Sequence, residues 1–420
     1  MKKQVKSIIT LFLLATLLLA GCGGNSNSEQ SNAETGQGPN EKYAELVKVD
    51  YDAILASLPE LTEEEKNHVV EIGYRDCDHM MACPIGDAAG IYKNLGIQYN
   101  VTKTGKVYEA MAAGKMDCAY MGFPELVESA AKGAPLCVAA ANHTGGSWYL
   151  VVSNDIKSPE DLIGKKLAIG TGAEKNPSWH EVATQLGIPV EIKNYEVFDM
   201  KDKDEYFALA AGQLDAFTCC DPWGSYAEYE GTGKIMATSW GTTKEAKEAN
   251  DDGILGKDAG IHCVFGFNTD FIEKYPNLAT RLIYAHILSV QYMYQHPYKA
   301  AEIFAEAFDV PVEVALRTVW VKTNEEGRTI TWNLYPENFE VFLNEYKMYN
   351  IPEEDTPPLD LNNLDTIWKQ DPMNNALAAG APDFDTFIKE KVDPVFPLGM
   401  SFDEFTAVAK EIDGITDQAS

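Results

Sequence analysis

The sequence predicts an α/β protein built from two similar lobes. The strongest evidence is a motif that occurs twice, as AAGKMDCAYMGFP in Ala112–Pro124 and as AAGQLDAFTCCDPW in Ala210–Trp223. In both copies an Asp stands three residues after the Gly, a short apolar run follows, and a Pro stands ten residues after the Gly. A chain of 420 residues is long enough for two lobes of ordinary domain size.

Each copy of the motif has the pattern of a helix, a buried strand and a second helix. Gly is suited to the position just after a helix, and Pro to the first turn of the next helix. A short, wholly apolar strand between them is typical of a parallel strand covered on both faces. Pro84 and Pro177 open helices in the same way, so we expect four strand-to-helix loops. Such loops are where α/β sheets hold ligands.

The first 22 residues have the pattern of a lipoprotein signal peptide. Lys2, Lys3 and Lys6 precede the apolar run Ile8–Ala20, and Leu-Ala-Gly-Cys ends at Cys22. The alternative is an uncleaved transmembrane anchor, but the run is short for a span of roughly 20 residues. The small residues before Cys22 favour cleavage and attachment of lipid, such as palmitate, to this cysteine. We therefore expect a lipid-anchored protein on the outer face of the cell membrane.

The composition after the signal peptide limits the partners of the protein. Residues 23–40 carry no large apolar side chain, which predicts a flexible tether. The formal net charge of −30 argues against nucleic acid or anionic lipid as a partner. It does not determine the charge of a ligand, because a pocket can differ in sign from the surface around it.

Five segments in a fixed order resemble one protein family. They lie between Val69 and Val321 and read PIGDAAGIYKNLGI, AAGKMDCAYMGFP, KSPEDLIGKKLAIGTG, AAGQLDAFTCCDPW and FIEKYPNLATRLIYAHILSVQYMYQHPYKAA. This set resembles the solute-binding lipoproteins of ABC importers of the taurine/sulfonate/nitrate type, which are related to binders of thiamine pyrimidine precursors.

The resemblance implies a type II periplasmic-binding-protein fold, with two lobes joined by a two-crossover hinge. It also implies a small-molecule ligand, an ABC permease with its ATPase as partners, a monomer and no cofactor. We expect a helical extension at 41–68, a first lobe at 69–157 and 259–420 that includes a C-terminal helical extension, and a second lobe at 158–258.

The four loops and the hinge supply the candidate ligand-binding residues. Helix N-termini at the loops suit a carboxylate, sulfonate, nitrate or bicarbonate, and Trp179 and Trp223 suit a planar organic ligand. Arg75 can clamp an anion, or it can pair with Asp76 or Asp78 instead. The candidates are Arg75, Asp76, Cys77, His79, Phe123, His143, Trp148, Thr171, Asn176, Trp179, Cys220, Asp221 and Trp223.

The first loop, RDCDHMMAC, is unusually rich in metal-ligating side chains, and Cys219 and Cys220 lie in the fourth loop. A soft metal or a metal chelate is one interpretation, although the C-x5-C spacing matches no zinc pattern. A disulfide between Cys77 and Cys83 is a second, and reduced thiols are a third. The sequence leaves all three open.

A binding protein that delivers a small solute to a permease is the leading prediction. The main competitor is an enzyme on the same fold, because a related pyrimidine-precursor synthase uses a Cys-rich loop and iron. That enzyme is cytoplasmic, whereas this chain carries an export signal. Neither a Ser/His/Asp order nor a phosphate-binding Gly-rich signature is present in the sequence. We therefore predict no enzymatic activity.

Overall fold

The computed structural model describes residues 34–146, 148–240 and 253–416. The signal peptide, Cys22 and residues 23–33 of the predicted tether lie outside the described residues. The side chains of Glu34, Thr35 and Asp202 are also outside this description.

The strands of the described residues form two mixed sheets. One sheet has the order β1-β3-β2-β4-β11-β5, and the other has the order β10-β6-β9-β7-β8. The strands are β1 Glu34–Thr35, β2 Val69–Tyr74, β3 Gln98–Lys103, β4 Cys118–Gly122, β5 Leu136–Thr144, β6 Trp148–Ser153, β7 Lys166–Ala168, β8 Glu196–Val197, β9 Ala216–Cys219, β10 Gly233–Ser239 and β11 Ile261–Asn268.

Helices cover these sheets and extend the chain at both ends. They are α1 Glu41–Ala44, α2 Tyr51–Ser57, α3 Glu63–Asn67, α4 Ala82–Ala88, α5 Ile91–Asn94, α6 Val107–Ala112, α7 Phe123–Ala131, α8 Pro177–Leu186, α9 Asp202–Ala210, α10 Trp223–Tyr229, α11 Thr269–Lys274, α12 Pro276–Gln295, α13 Pro297–Phe308, α14 Val312–Trp320, α15 Pro336–Met348, α16 Asp371–Ala378, α17 Phe384–Phe387 and α18 Phe402–Ile412. Two short turns concern the site: a 3-10 turn, Asp78–Met80, and a π-helical turn, Val321–Glu325. In the described part of the chain, no helix has both the length and the apolar character needed to cross a bilayer.

The repeated motif forms the same unit in each sheet. The first copy spans α6, β4 and α7, and the second spans α9, β9 and α10. Gly114 and Gly212 follow their helices with φ of 65° and 68°, the left-handed conformation that a glycine adopts without strain. Every residue of β4 and β9 is buried. The predicted order of helix, buried strand and helix is therefore confirmed in both copies.

The repeated Asp joins each copy to the neighbouring parallel strand. The Asp117 N–H donates to the Glu71 carbonyl, and Asp117 Oδ2 accepts from the Glu71 N–H, both at 2.9 Å. Asp215 makes the same pair of bonds to Lys166, at 2.9 and 3.0 Å. One carboxylate at this position satisfies a backbone donor that the ladder would otherwise leave unpaired. The shared Asp thus has a structural role.

Two crossovers join the sheets and lie side by side. The chain passes from β5 to β6 through Gly145 and Gly146, and it returns from β10 to β11. The Gly145 N–H donates to the Gly260 carbonyl at 2.8 Å, and the Gly146 N–H donates to the Trp240 carbonyl at 2.7 Å. These bonds hold the two crossovers together at the junction of the lobes.

The sheets divide the chain earlier than the predicted lobe boundary at residue 158. Strand β6 is hydrogen-bonded between β9 and β10, so it belongs to the second sheet.

The end of the predicted tether is also paired. Strand β1 pairs with β3, the Gly36 N–H donates to the Val101 carbonyl, and the Asn40 N–H donates to the Ala88 carbonyl. The tether prediction is therefore wrong for residues 34–40, because the backbone of this polar segment pairs with the edge of the first sheet.

One buried histidine gives the fold a predictable response to pH. His286 on α12 contacts the Ala141 carbonyl at 2.9 Å through Nε2, and burial lowers its pKa to about 4. In the unfolded chain the imidazole takes up a proton as pH falls below about 6.5, whereas in the folded chain it does not until about pH 4. Its contribution to stability is thus present above pH 6.5 and is lost as pH falls toward 4.

We expect this histidine to account for about 3 kcal/mol of the stability lost between pH 7 and pH 4. Urea unfolding at several pH values should show a smaller loss in His286→Gln than in the parent protein. His180→Gln makes the same change at a partly exposed histidine and is the control for the substitution itself. Identical pH profiles for the parent and His286→Gln would contradict this assignment.

Candidate functional site

The candidate site lies where the loop after β2 meets the loop after β9. The Asp78 N–H donates to the Asp221 carbonyl at 3.1 Å, so one residue from each lobe makes a direct contact. Both side chains are fully buried. The contact is at the carboxyl ends of two parallel strands, which is the position where α/β sheets hold ligands.

A buried ion cluster, which comprises Asp78, Lys322 and Glu326, supports this contact. Lys322 Nζ lies 3.1 Å from Asp78 Oδ2 and 2.6 Å from Glu326 Oε1, and none of the three side chains is exposed. The π-helical turn after α14 carries Lys322, and Glu326 follows it directly. Because a buried charge is tolerated only when it is paired, the cluster fixes this turn against the first loop.

The titratable groups of the site differ in the direction of their pKa shifts. Burial raises the pKa of Asp78 to about 7, against the opposing effect of Lys322, and burial also raises the pKa of Asp221. Burial acts to raise the pKa of Glu326, but the Lys322 ammonium and His143 outweigh it and hold that pKa below its usual value. Burial acts to lower the pKa of Lys322, but Asp78 and Glu326 outweigh it and raise that pKa. The site therefore combines one ammonium with three carboxyl groups.

Two neutral histidines are stacked beside the ion cluster. The rings of His79 and His143 are 3.8 Å apart at 26°. Burial lowers the pKa of His143 to about 4, and burial together with His143 holds the pKa of His79 well below its usual value. His79 Nε2, both His143 ring nitrogens and Asn142 Oδ1 are buried without a hydrogen-bond partner among the described residues.

Such buried polar atoms are uncommon, and each needs an explanation. The nearest carboxylates do not provide one. His79 Nε2 lies 3.7 Å from Asp78 Oδ1, and His143 Nε2 lies 3.7 Å from Glu326 Oε2, beyond hydrogen-bond distance in both cases. The concentration of these atoms at one contact between the lobes marks a functional surface.

Three thiols surround His79, and together with it they form what we call the thiol–imidazole cluster: Cys77, His79, Cys220 and Cys263. His79 Nδ1 lies 3.3 Å from Cys77 Sγ and 3.6 Å from Cys263 Sγ. None of the seven cysteines in the described part of the chain forms a disulfide. The disulfide interpretation for Cys77 and Cys83 is therefore wrong for this structure, in which Cys83 is buried within α4.

The structure brings five of the sequence-predicted residues together: Cys77, His79, His143, Cys220 and Asp221. Arg75 is beside them but points to other partners. Its Nη1 donates to the Tyr108 hydroxyl at 3.2 Å and lies 3.7 Å from Glu125 Oε1. Asp76 Oδ1 lies 3.8 Å from Lys103 Nζ, and Asp78 Oδ2 lies 3.1 Å from Lys322 Nζ.

Two predicted aromatic residues lie in the interior of the lobes. Phe123 packs edge-on against Phe339 and Phe342 of α15. Trp179 is fully buried in the second lobe, and its indole N–H donates to the Val190 carbonyl at 2.9 Å. Both residues begin helices after a strand, but the first turn of a helix also faces the sheet below it. These two rings therefore pack in the interior of the lobes rather than in the cleft.

The remaining predicted residues make the following contacts in the second lobe. Thr171 donates to Asp199 through its N–H and hydroxyl, and Asn176 caps α8. Trp148 is partly buried on β6 against the second-lobe core. Trp223 packs among Tyr206 and Tyr226 at the start of α10.

Sequence reasoning missed Lys322, Glu326, Cys263 and Asn142. Lys322 and Glu326 are four residues apart. They follow Val321, where the family resemblance ends, and no motif marks them. Cys263 lies on β11, the strand that returns from the second crossover. Its position directly after that crossover is the one signal in the sequence that places it near the cleft.

The two sheets and the paired crossovers define the fold of the periplasmic binding proteins. The ligand-binding component of an ABC-type import system from Staphylococcus aureus, with zinc bound, has a TM-score of 0.57 at 15% identity over 75% of this chain and 100% of that chain. The periplasmic nitrate-binding protein NrtA from Synechocystis PCC 6803 has a TM-score of 0.56 at 15% identity over 82% and 98%. The alkanesulfonate-binding protein SsuA from Xanthomonas axonopodis pv. citri, bound to MOPS, has a TM-score of 0.54 at 14% identity over 71% and 97%. At these identities the likeness shows the fold alone.

The sequence identifies the family. The model of the NMT1/THI5-like family matches residues 84–300, more than half of the chain, and the protein belongs to this family. A comparison with curated proteins finds no match. The predicted type II periplasmic-binding-protein fold and the predicted family resemblance are both confirmed.

Proposed function

We propose that this protein is the solute-binding component of an ABC importer, which holds a small solute between its two lobes and delivers it to a permease and its ATPase. The observation that carries the proposal is the set of buried, unpartnered polar atoms on His79, His143 and Asn142 at the contact between the lobes. A bound solute with matching donors and acceptors would satisfy these atoms. The fold supports this function, because its lobes meet at one hinge.

The charges at the contact bear on the class of solute. Three carboxyl groups and one ammonium line it, and both histidines are held neutral by burial. Arg75, the expected anion clamp, is engaged with Tyr108 and Glu125. These charges favour a solute that donates hydrogen bonds or carries positive charge, such as a heteroaromatic amine, over the anion that the helix N-termini suggested.

The anchor and the delivery step complete the proposal. Lipid on Cys22 would hold the protein at the outer face of the cell membrane, where a monomer can meet its permease. Binding without chemistry is the role we assign to the site.

Thermal unfolding with a defined panel tests the proposal, because a solute that binds only the folded chain raises its melting temperature. The panel comprises taurine, nitrate, bicarbonate, benzoate and an aminopyrimidine, and we expect the aminopyrimidine to give the largest shift. Asp221→Asn keeps the shape but removes the charge of a buried carboxylate whose oxygens accept from the Ser225 N–H and hydroxyl, both at 2.9 Å. We expect it to weaken binding about tenfold or more, the cost of one charge-assisted hydrogen bond.

Asp199→Asn is the matched control, because it makes the same change in the second lobe, at the exposed carboxylate that accepts from Thr171. It should bind the same solute with unchanged affinity in calorimetric titration. Equal affinities for the parent, Asp221→Asn and Asp199→Asn would remove Asp221 from the site. No shift with any member of the panel would argue against this class of solutes.

A further inference from the structure

Two loops bring three metal-ligating side chains of the thiol–imidazole cluster close together. Cys77 and His79 come from the loop after β2, and Cys220 comes from the loop after β9. The ligand atoms of Cys77, His79 and Cys220 all lie within 4.8 Å of one another. Cys263 Sγ lies 3.6 Å from His79 Nδ1, but it groups with His79 and His143 rather than with the other two sulfurs.

The spacing of His79 and Cys77 matches one edge of a tetrahedral metal site. With Zn–S of about 2.3 Å and Zn–N of about 2.05 Å, a tetrahedral site has N···S edges of about 3.6 Å. His79 Nδ1 lies 3.3 Å from Cys77 Sγ, close to the length of such an edge.

We propose that the thiol–imidazole cluster is a binding site for one soft or borderline metal ion, with Zn²⁺ the first choice. The ligands are His79 Nδ1 and the sulfurs of Cys77 and Cys220. Thiolate sulfur with imidazole nitrogen is the donor set that zinc prefers over calcium or magnesium.

The surroundings of His79 fit this role. A metal-bound histidine directs its other ring nitrogen toward a carboxylate, which fixes the ring orientation. With Nδ1 on the metal, His79 Nε2 carries the proton, and its nearest carboxylate oxygen is Asp78 Oδ1 at 3.7 Å. Asp78 is in turn held by Lys322. Metal binding would thus give the buried, unpartnered Nε2 a role as a donor to Asp78.

The site would also tie the two lobes together. Cys220 belongs to the second lobe, whereas Cys77 and His79 belong to the first. An ion shared between them would hold the two loops in contact. His79 takes part in both this proposal and the proposed solute site, so the probe that tests this inference is the metal alone.

Anaerobic titration of the chain from residue 23 with Co²⁺ tests the proposal directly. We expect one equivalent to bind, with the intense d–d bands of tetrahedral Co²⁺ and a sulfur-to-cobalt charge-transfer band, and one equivalent of Zn²⁺ to remove both. Cys77→Ser combined with Cys220→Ser should weaken binding by about 10–100-fold or more. Cys137→Ser is the matched control, since Cys137 is a buried first-lobe cysteine whose sulfur contacts the Phe267 carbonyl.

A second measurement uses the parent protein, so it does not depend on folding of the variants. Zinc should protect Cys77 and Cys220 from alkylation while the protein is slowly unfolded, and it should leave the reactivity of Cys137 unchanged. Weak octahedral cobalt bands would overturn the proposal, and so would equal affinities in the double variant and the control. A Cys77–Cys220 disulfide in protein prepared from cells without added oxidant would also overturn it. Failure of the metal to bind would leave the response to the organic panel unaffected.

Discussion

Replacement of Lys322 by methionine is expected to destabilise the protein by about 3–5 kcal/mol. The substitution keeps the length of the side chain but removes the ammonium that lies 2.6 Å from Glu326 and 3.1 Å from Asp78. Glu326 would then be a buried carboxylate without a cation, and it would have to take up a proton or draw water into the core. Urea unfolding at pH 7 measures the loss as a lower denaturation midpoint.

Two further variants separate charge from packing. Lys257→Met removes an ammonium that lies 2.6 Å from Glu337 at the surface, and it should leave the stability nearly unchanged, because water screens such a pair. The double variant Lys322→Met with Glu326→Gln should recover part of the loss, since it removes the uncompensated charge. Equal effects at Lys322 and Lys257 would contradict the buried ion cluster.

Gly146→Ala is expected to have the second large effect, a loss of about 2–5 kcal/mol. Gly146 has a φ of 100°, a conformation that alanine adopts only with strain. A Cβ at this position would also overlap the His143 imidazole and lie 3.2 Å from Glu326 Oε2. The substitution therefore strains the first crossover and displaces the stacked histidines together.

The control is Gly164→Ala, where φ is 75° and a Cβ would meet no atom within 4 Å. This variant introduces the backbone strain without a steric overlap, and it should lower the free energy of unfolding by only about 1–2 kcal/mol. Gly146→Ala should in addition weaken solute binding, because His143 lines the lobe contact. A loss no larger than that of Gly164→Ala, with unchanged binding, would show that the crossover tolerates a side chain.

The parts of the fold that follow from local rules could be predicted from the sequence. Gly114, Gly212 and the paired prolines determine where helices end and begin, so both copies of the motif were predicted correctly. The polar composition around residue 36 favoured a tether, but composition does not show that the first-sheet edge offers that backbone a partner. Hydrogen bonding with β3 decided the structure there.

The candidate site was predictable where it lies in a loop after a strand, as with Cys77, His79 and Cys220. It was not predictable where the partner comes from a distant segment. Lys322 joins Asp78 only because α14 and its π-helical turn pack against the first loop. Aromatic residues were misleading for a physical reason, since the first turn of a helix can face the cleft or the sheet. Trp179 and Phe123 face the interior.

Native mass spectrometry of the chain from residue 23 tests the central claim, that the protein holds a solute between its lobes. The protein would be prepared without oxygen, incubated with each member of the panel, and compared in native and denaturing solution. We predict a one-to-one organic adduct that disappears on denaturation and is much weaker in Asp221→Asn. A mass equal to that of the polypeptide alone in every incubation, for the parent and the variant alike, would contradict it.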